Sequence, residues 1–150
     1  MAKSSKPPSR ATGQKTPVQK ARYTDRWTEI ILRAVSARVA KRWRFVSFRG
    51  KQRGEWRGVV DVLAIRKDTH EPARSCLKRG DLFDIILIQM KGGSAKTPGI
   101  EERRRLREVA KYYRAQAVVL FQWDRGKATD FFTLNRRLQW KPSTCLDIFG

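Results

Sequence analysis

The sequence predicts one α/β domain with a central mixed sheet flanked by helices, in the order α-β-β-β-α-β. Three observations carry this. The chain has 150 residues, 40% of them apolar, with five Trp and seven Phe, enough for one proper core. Apolar runs of strand length alternate with stretches of 3.6-residue periodicity. The last strong pair of apolar runs is separated by an amphipathic helix, the pattern of a β-α-β crossover between parallel neighbours.

Taken in order, "MAKSSKPPSRATGQKTPVQKAR" has six basic residues, no acids and three prolines. It lacks the apolar surface to order itself, so residues 1–23 are expected to form a flexible basic arm. The domain is expected over 24–150, with its core at about 24–123 and a basic extension over 124–150. In "TDRWTEIILRAVSARVAKRW" Trp27, Ile31, Ala34, Val35 and Arg38 share one side of a helix, with Thr24 as N-cap and Asp25 in the first turn. "RFVSF" reads as a strand, "RGKQRGEWRG" as a basic loop or hairpin turn, and "VVDVLAIR" as a second strand. "KDTHEPARSCLKRGD" is a polar connection and "LFDIILIQMK" the third and most buried strand. After the turn "GGSAKTPG", "IEERRRLREVAKYYRA" is a helix with Leu106, Val109, Ala110 and Tyr113 inward, and "QAVVLFQW" is a fourth strand. Its mixed acids and bases at i,i+3 and i,i+4 spacing read as a salt-bridged outer face. The remaining residues read as turns, a short apolar element and a basic tail.

Charge narrows the partners. Thirty-four Lys plus Arg against 14 Asp plus Glu give a net charge of +20 and a pI of about 11.1. Such self-repulsion is offset by a polyanion, and nucleic acid releases condensed counterions on binding. No long apolar run and no basic amphipathic helix with a clean lipid face argues for a membrane, and the polar N-terminus shows no signal peptide. Cys76 and Cys145 form no CxxC pair and His70 is the one histidine, which excludes an obvious zinc site and any nuclease chemistry built on a histidine base. This cysteine usage fits a reducing compartment, hence a cytoplasmic, nucleoid-associated protein.

The chemistry concentrates in two apolar runs. Asp61 lies within "VVDVLAI", where an ionised carboxylate costs several kcal/mol unless a cation or metal partners it. Gln89 and Lys91 close "DIILIQMK" and, by the two-residue strand period, point the same way. If these strands pair, a carboxylate, an amide oxygen and an ammonium group converge at one end of the sheet. That set suits Mg2+ (or Mn2+), a hard ion bound by one or two carboxylates together with phosphate and water. The alternative for Asp61 is a structural aspartate paired at a sheet edge. Arg49, Lys51, Arg53 and Arg57 crowd the loop before Asp61 with Trp56 among them, a mixture suited to phosphate contact and base stacking.

The run "VVDVLAI … DIILIQMKGG" resembles the core of the PD-(D/E)XK nucleases, in the QxK variant found among Mrr-like restriction endonucleases and relatives of archaeal Holliday-junction resolvases. The resemblance covers roughly residues 24–123 and implies a restriction-endonuclease-like α-β-β-β-α-β core. It gives Asp61 the aspartate role, Gln89 the acidic position of the triplet and Lys91 its lysine. Glu29 stands where the family's first helix carries a metal-site glutamate, with Glu55 and Asp84 as further acids. It also implies a metal-dependent endonuclease acting on DNA, structure-directed or restriction-like, with RNA as a further partner class, and allows a homodimer. Gln89 departs from the family's carboxylate, leaving the site one negative charge short. Val60 replaces the proline of the motif. Two other readings stay open: a degenerate nuclease fold that binds DNA or RNA without cutting, and an unrelated basic RNA-binding or ribosome-associated protein.

Overall fold

The computed structural model describes residues 16–48, 58–73 and 76–150. The predicted contacts at Arg49, Lys51, Arg53, Trp56 and Arg57, the acid Glu55 and most of the basic arm lie outside the described residues.

The elements are α1 (Pro17–Ser36), β1 (Arg44–Ser47), β2 (Val62–Lys67), β3 (Phe83–Gly92), α2 (Ile100–Tyr112), β4 (Ala117–Trp123), β5 (Asp130–Leu134), β6 (Trp140–Ser143) and α3 (Cys145–Phe149). The strands form one six-stranded sheet in sequence order, β1 to β6. β3 and β4 pair in parallel and every other neighbouring pair is antiparallel. The mixed sheet and the parallel crossover through α2 are thus as the sequence indicates. Among the described residues no helix is long and apolar enough to cross a membrane.

β3 sits at the centre because it can be buried on both faces: Ile86, Leu87 and Ile88 are each at most 2% exposed. Its even-numbered residues Ile86, Ile88 and Met90 pack with Leu32 of α1, Val62 and Ala64 of β2, and Val119 and Phe121 of β4. Leu87 faces the other way, onto a second core with Leu106 and Ala110 of α2 and Val118 of β4. The two helices therefore cover opposite faces of the sheet.

Three expectations change. First, α1 begins at Pro17 rather than near Asp25, so residues 17–23 belong to the helix and not to an arm. Thr16 is its N-cap: the Gln19 N–H donates to the Thr16 hydroxyl oxygen, the Gln19 side chain accepts from the Thr16 N–H, and proline occupies the first helical position. Thr24 lies inside the helix, where its hydroxyl donates to the Lys20 carbonyl. Second, the buried stripe of α1 is Thr28, Leu32 and Ser36, while Trp27 and Val35 are exposed. Thr24 and Thr28 are small because α1 crosses tightly over the end of β3 there. A Cβ placed on Gly92 would come within 2.7 Å of Thr24 Cγ2 and strike the Thr28 hydroxyl, so glycine is required there by close approach.

Third, residues 124–150 are ordered sheet and helix rather than a turn-rich tail. β5 and β6 form a hairpin whose turn is held by Asn135, its side-chain oxygen accepting the N–H groups of Arg137 and Gln139. Leu138 takes a left-handed φ of 60° in that turn. Pro142 is tolerated because β6 is an edge strand. Phe131 and Phe149 complete the α1-side core with Phe121 and Trp43. Two arginines of α2 read as outer salt-bridge partners instead tie this hairpin down. Arg103 Nη1 donates to the Leu138 carbonyl (2.8 Å) and Arg107 Nη2 to the Leu134 carbonyl (3.3 Å).

Candidate active site

Asp61 precedes the first residue of β2, at the mouth of the β2–β3 pair rather than in mid-strand. Its backbone is fixed from two sides: its N–H donates to the Ile88 carbonyl (3.0 Å), and its own carbonyl accepts the Phe48 N–H (3.0 Å). Its carboxylate Oδ2 accepts the Met90 N–H at 2.7 Å. A side chain here takes a place in the sheet ladder, so the carboxylate is oriented by a charge-assisted bond without needing burial.

Met90 is the residue between Gln89 and Lys91, so the Asp61 carboxylate is docked at the backbone of the Q-x-K triplet. Gln89 and Lys91 lie on the α2 face of β3, the parity opposite to Met90. They meet a residue that sequence reasoning left on an outer helix face: Glu102, in the first turn of α2. Gln89 Nε2 donates to Glu102 Oε1 at 3.4 Å, and Lys91 Nζ stands 3.8 Å from the same oxygen. The other carboxylate oxygen, Oε2, accepts the Gly99 N–H at 3.2 Å and so caps the helix. Gln89 is 4% exposed, and its carbonyl oxygen Oε1 is buried with no hydrogen-bond partner. A buried amide oxygen left this way carries a real desolvation cost and is available to accept from or coordinate a ligand.

Glu102 was legible in two ways. It stands one turn before Leu106 and two before Ala110, on the inner stripe of its helix. The N-terminus of a crossover helix also returns to the end of the strand it follows, which here is the Gln89–Lys91 end.

Of the other acids, Glu29 lies on α1, and its oxygens go to Arg33 and Ser47. Arg33 Nη2 donates to Oε1 (2.9 Å) and the Ser47 hydroxyl to Oε2 (2.9 Å). Neither partner belongs to the Asp61–Gln89–Lys91 group, so the structure uses Glu29 to pin α1 onto β1. Asp84, at the other end of β3, is ion-paired with Arg66 (2.8 Å).

The site therefore offers Asp61 and Glu102 as carboxylates, Gln89 Oε1 as an unengaged amide oxygen and Lys91 as the cation. Oxygen donors of this kind fit a hard divalent ion, and the orphaned Gln89 oxygen is one that such an ion or its water would engage. Among the described residues no group of three or more His, Cys, Asp or Glu side chains gathers as a metal cluster, so any ion here relies on amide and solvent oxygens as well. Both cysteines are free, Cys76 exposed and Cys145 partly buried.

No family model and no curated protein matches the chain. Among solved structures it is similar to the 1.6 Å structure of Hjc, a Holliday junction resolvase from the hyperthermophilic archaeon Archaeoglobus fulgidus. The TM-score is 0.51 at 14% identity, over 83% of this chain and 99% of that one. At such identity the likeness establishes a shared α/β fold.

Proposed function

We propose that this protein is a divalent-metal-dependent endonuclease that hydrolyses DNA phosphodiester bonds, directed by DNA structure rather than sequence. One observation carries the reading: the Asp61 carboxylate is held at the Met90 N–H, between Gln89 and Lys91, at the mouth of a strand pair. The fold shared with a Holliday junction resolvase favours a branched substrate, such as a four-way junction.

In this reading Asp61 and Gln89 would hold Mg2+ or Mn2+ together with water and phosphate oxygens. When bound, the ion activates water and offsets charge on the phosphate. Lys91, with its side chain 24% exposed, places its ammonium group where a phosphate oxygen would draw near. Water attacks phosphorus in line with the departing ester oxygen. The P–O ester bond breaks, the leaving alkoxide gains a proton, and the attacking water loses one to solvent. The buried apolar neighbours of Gln89 keep the triplet rigid, so this electrostatic arrangement needs little reorganisation.

The partner follows from charge. At the far end of the β2–β3 pair Lys41, Arg42, Arg44, Lys67 and Arg79 line one groove, all exposed. This supports a phosphate surface extending about 20 Å from Asp61, the span of six strand residues.

The test is cleavage of supercoiled, linear and four-way-junction DNA with Mg2+ or Mn2+. Wild type is expected to cut junction DNA fastest, and Lys91→Ala to lose about 100-fold or more in rate while still binding. Equal rates for wild type and Lys91→Ala on every substrate would leave a DNA-binding protein without this chemistry.

A further inference from the structure

The Q-x-K triplet lacks the carboxylate that a divalent ion would take from β3, yet a carboxylate stands against it. We infer that Glu102 supplies the second metal-site carboxylate from α2, in place of the one missing at Gln89. The inference deepens the nuclease reading and rests on it.

Four observations converge. Glu102 Oε1 is the common neighbour of Gln89 Nε2 (3.4 Å) and Lys91 Nζ (3.8 Å), so an acid occupies the space above the triplet. Both separations are long for hydrogen bond and ion pair, leaving that oxygen loosely held. Gln89 Oε1 is buried and unpartnered beside it. Oε2 is anchored by the Gly99 N–H, which fixes the carboxylate as a metal ligand needs to be fixed.

A carboxylate moved from strand to helix keeps the charge of the site while changing its address. With Asp61 it makes two carboxylates, the number that suits Mg2+ or Mn2+ with water and phosphate completing the shell. Lys91 then balances one of the two charges in the metal-free protein. Gln89 acts as a positioning residue: its amide N–H group orients Glu102 and its carbonyl oxygen faces the ion or an ion-bound water. The local sequence supports the arrangement. Gly93 takes a left-handed φ of 61°, and its N–H donates to the Trp123 carbonyl (2.8 Å), turning the chain sharply after β3. The turn that follows carries the chain to Gly99, where α2 starts beside the strand end.

A charge-relocation series tests this on the full chain, with Mn2+ binding read by isothermal titration calorimetry and folding by thermal melting in EDTA. Glu102→Gln retains the helix cap, since glutamine serves at that position of a capping box, and removes the charge. It is expected to weaken Mn2+ binding about tenfold or more with the EDTA melting temperature unchanged. Adding Gln89→Glu, to give the Q89E/E102Q double variant, is expected to restore binding to within about threefold of wild type. A purely structural Glu102 would not be rescued from β3. Wild-type affinity in Glu102→Gln, failure of rescue in a double variant that melts normally, or no Mn2+ binding by wild type would each overturn the inference. Mn2+ binding that follows the expected series in a protein that cuts no DNA would sustain the Glu102 assignment and overturn the nuclease reading alone.

Discussion

The two ends of the β2–β3 pair each set an aspartate near basic side chains, yet they are built for different things. At the far end Asp84 and Arg66 face each other directly across the ladder and pair at 2.8 Å. The Arg66 guanidinium also lies 4.5 Å over the Trp43 ring, and Trp43 in turn donates its indole N–H to the Phe149 carbonyl (3.0 Å). That aspartate is neutralised by a half-buried cation stacked on a core aromatic ring. At the near end Asp61 is oriented by a backbone N–H, and Lys91 stands at ion-pair distance from Glu102. The far end joins β1, β2 and β3 to the C-terminal helix; the near end gathers one acid from the mouth of β2, another from α2 and the triplet from β3. An acid on an apolar strand thus says little by itself. Its setting tells more: Asp84 has a guanidinium directly across the ladder, whereas Asp61 has a backbone N–H of the Q-x-K triplet.

The largest expected effect breaks this comparison directly. Asp61→Asn should lower the metal-dependent cleavage rate by about 10³-fold, roughly 4 kcal/mol of transition-state stabilisation. Asp84→Asn should leave that rate within about twofold and lower stability by about 1 kcal/mol or less, since its pair is partly solvated. Single-turnover cleavage and urea unfolding of both variants decide it. Equal losses of rate in the two would erase the distinction between the ends.

The next effect concerns how the near end is assembled. Gly92→Ala adds a methyl group against Thr24 and Thr28 and should destabilise the fold by about 1–3 kcal/mol. Urea unfolding followed by tryptophan fluorescence measures it, and a destabilisation below about 0.5 kcal/mol would show that α1 does not pack as tightly on β3 as described. The smallest effect sharpens the far end. Lys41→Ala combined with Lys67→Ala should reduce the slope of log K against log salt by about one for each phosphate the protein no longer neutralises. Mn2+ affinity should stay the same. Junction-DNA titrations at several salt concentrations read the slope, and an unaltered slope would move the DNA surface elsewhere.

Much of the fold was legible because periodicity is a local property. The short aliphatic run Ile85–Ile88 read as a buried strand, and an amphipathic helix between it and the next apolar run indicated a parallel pair, as observed. The C-terminal elements were not legible. β5, β6 and α3 are four or five residues each, too short to show a period, and the β5–β6 turn is made by an asparagine side chain rather than by glycine. The start of α1 was misjudged because polar, basic residues 17–23 have little apolar surface. A proline at the first position and a capping box start the helix there instead.

The candidate site divides along the same line. By itself the sequence determined that Gln89 and Lys91 point the same way at the end of an apolar strand, because side chains alternate along a strand. It left their meeting with Asp61 conditional on the two strands pairing. Only the tertiary structure decided which acid joins them. Glu102 is 11 residues beyond Lys91 and faces it because α2 folds back across the sheet, whereas Glu29 is drawn to Arg33 and Ser47 on the opposite face. Partner choice between groups far apart in the chain depends on how whole elements pack; the helical period puts Glu102 on the inner face but does not choose it over Glu29.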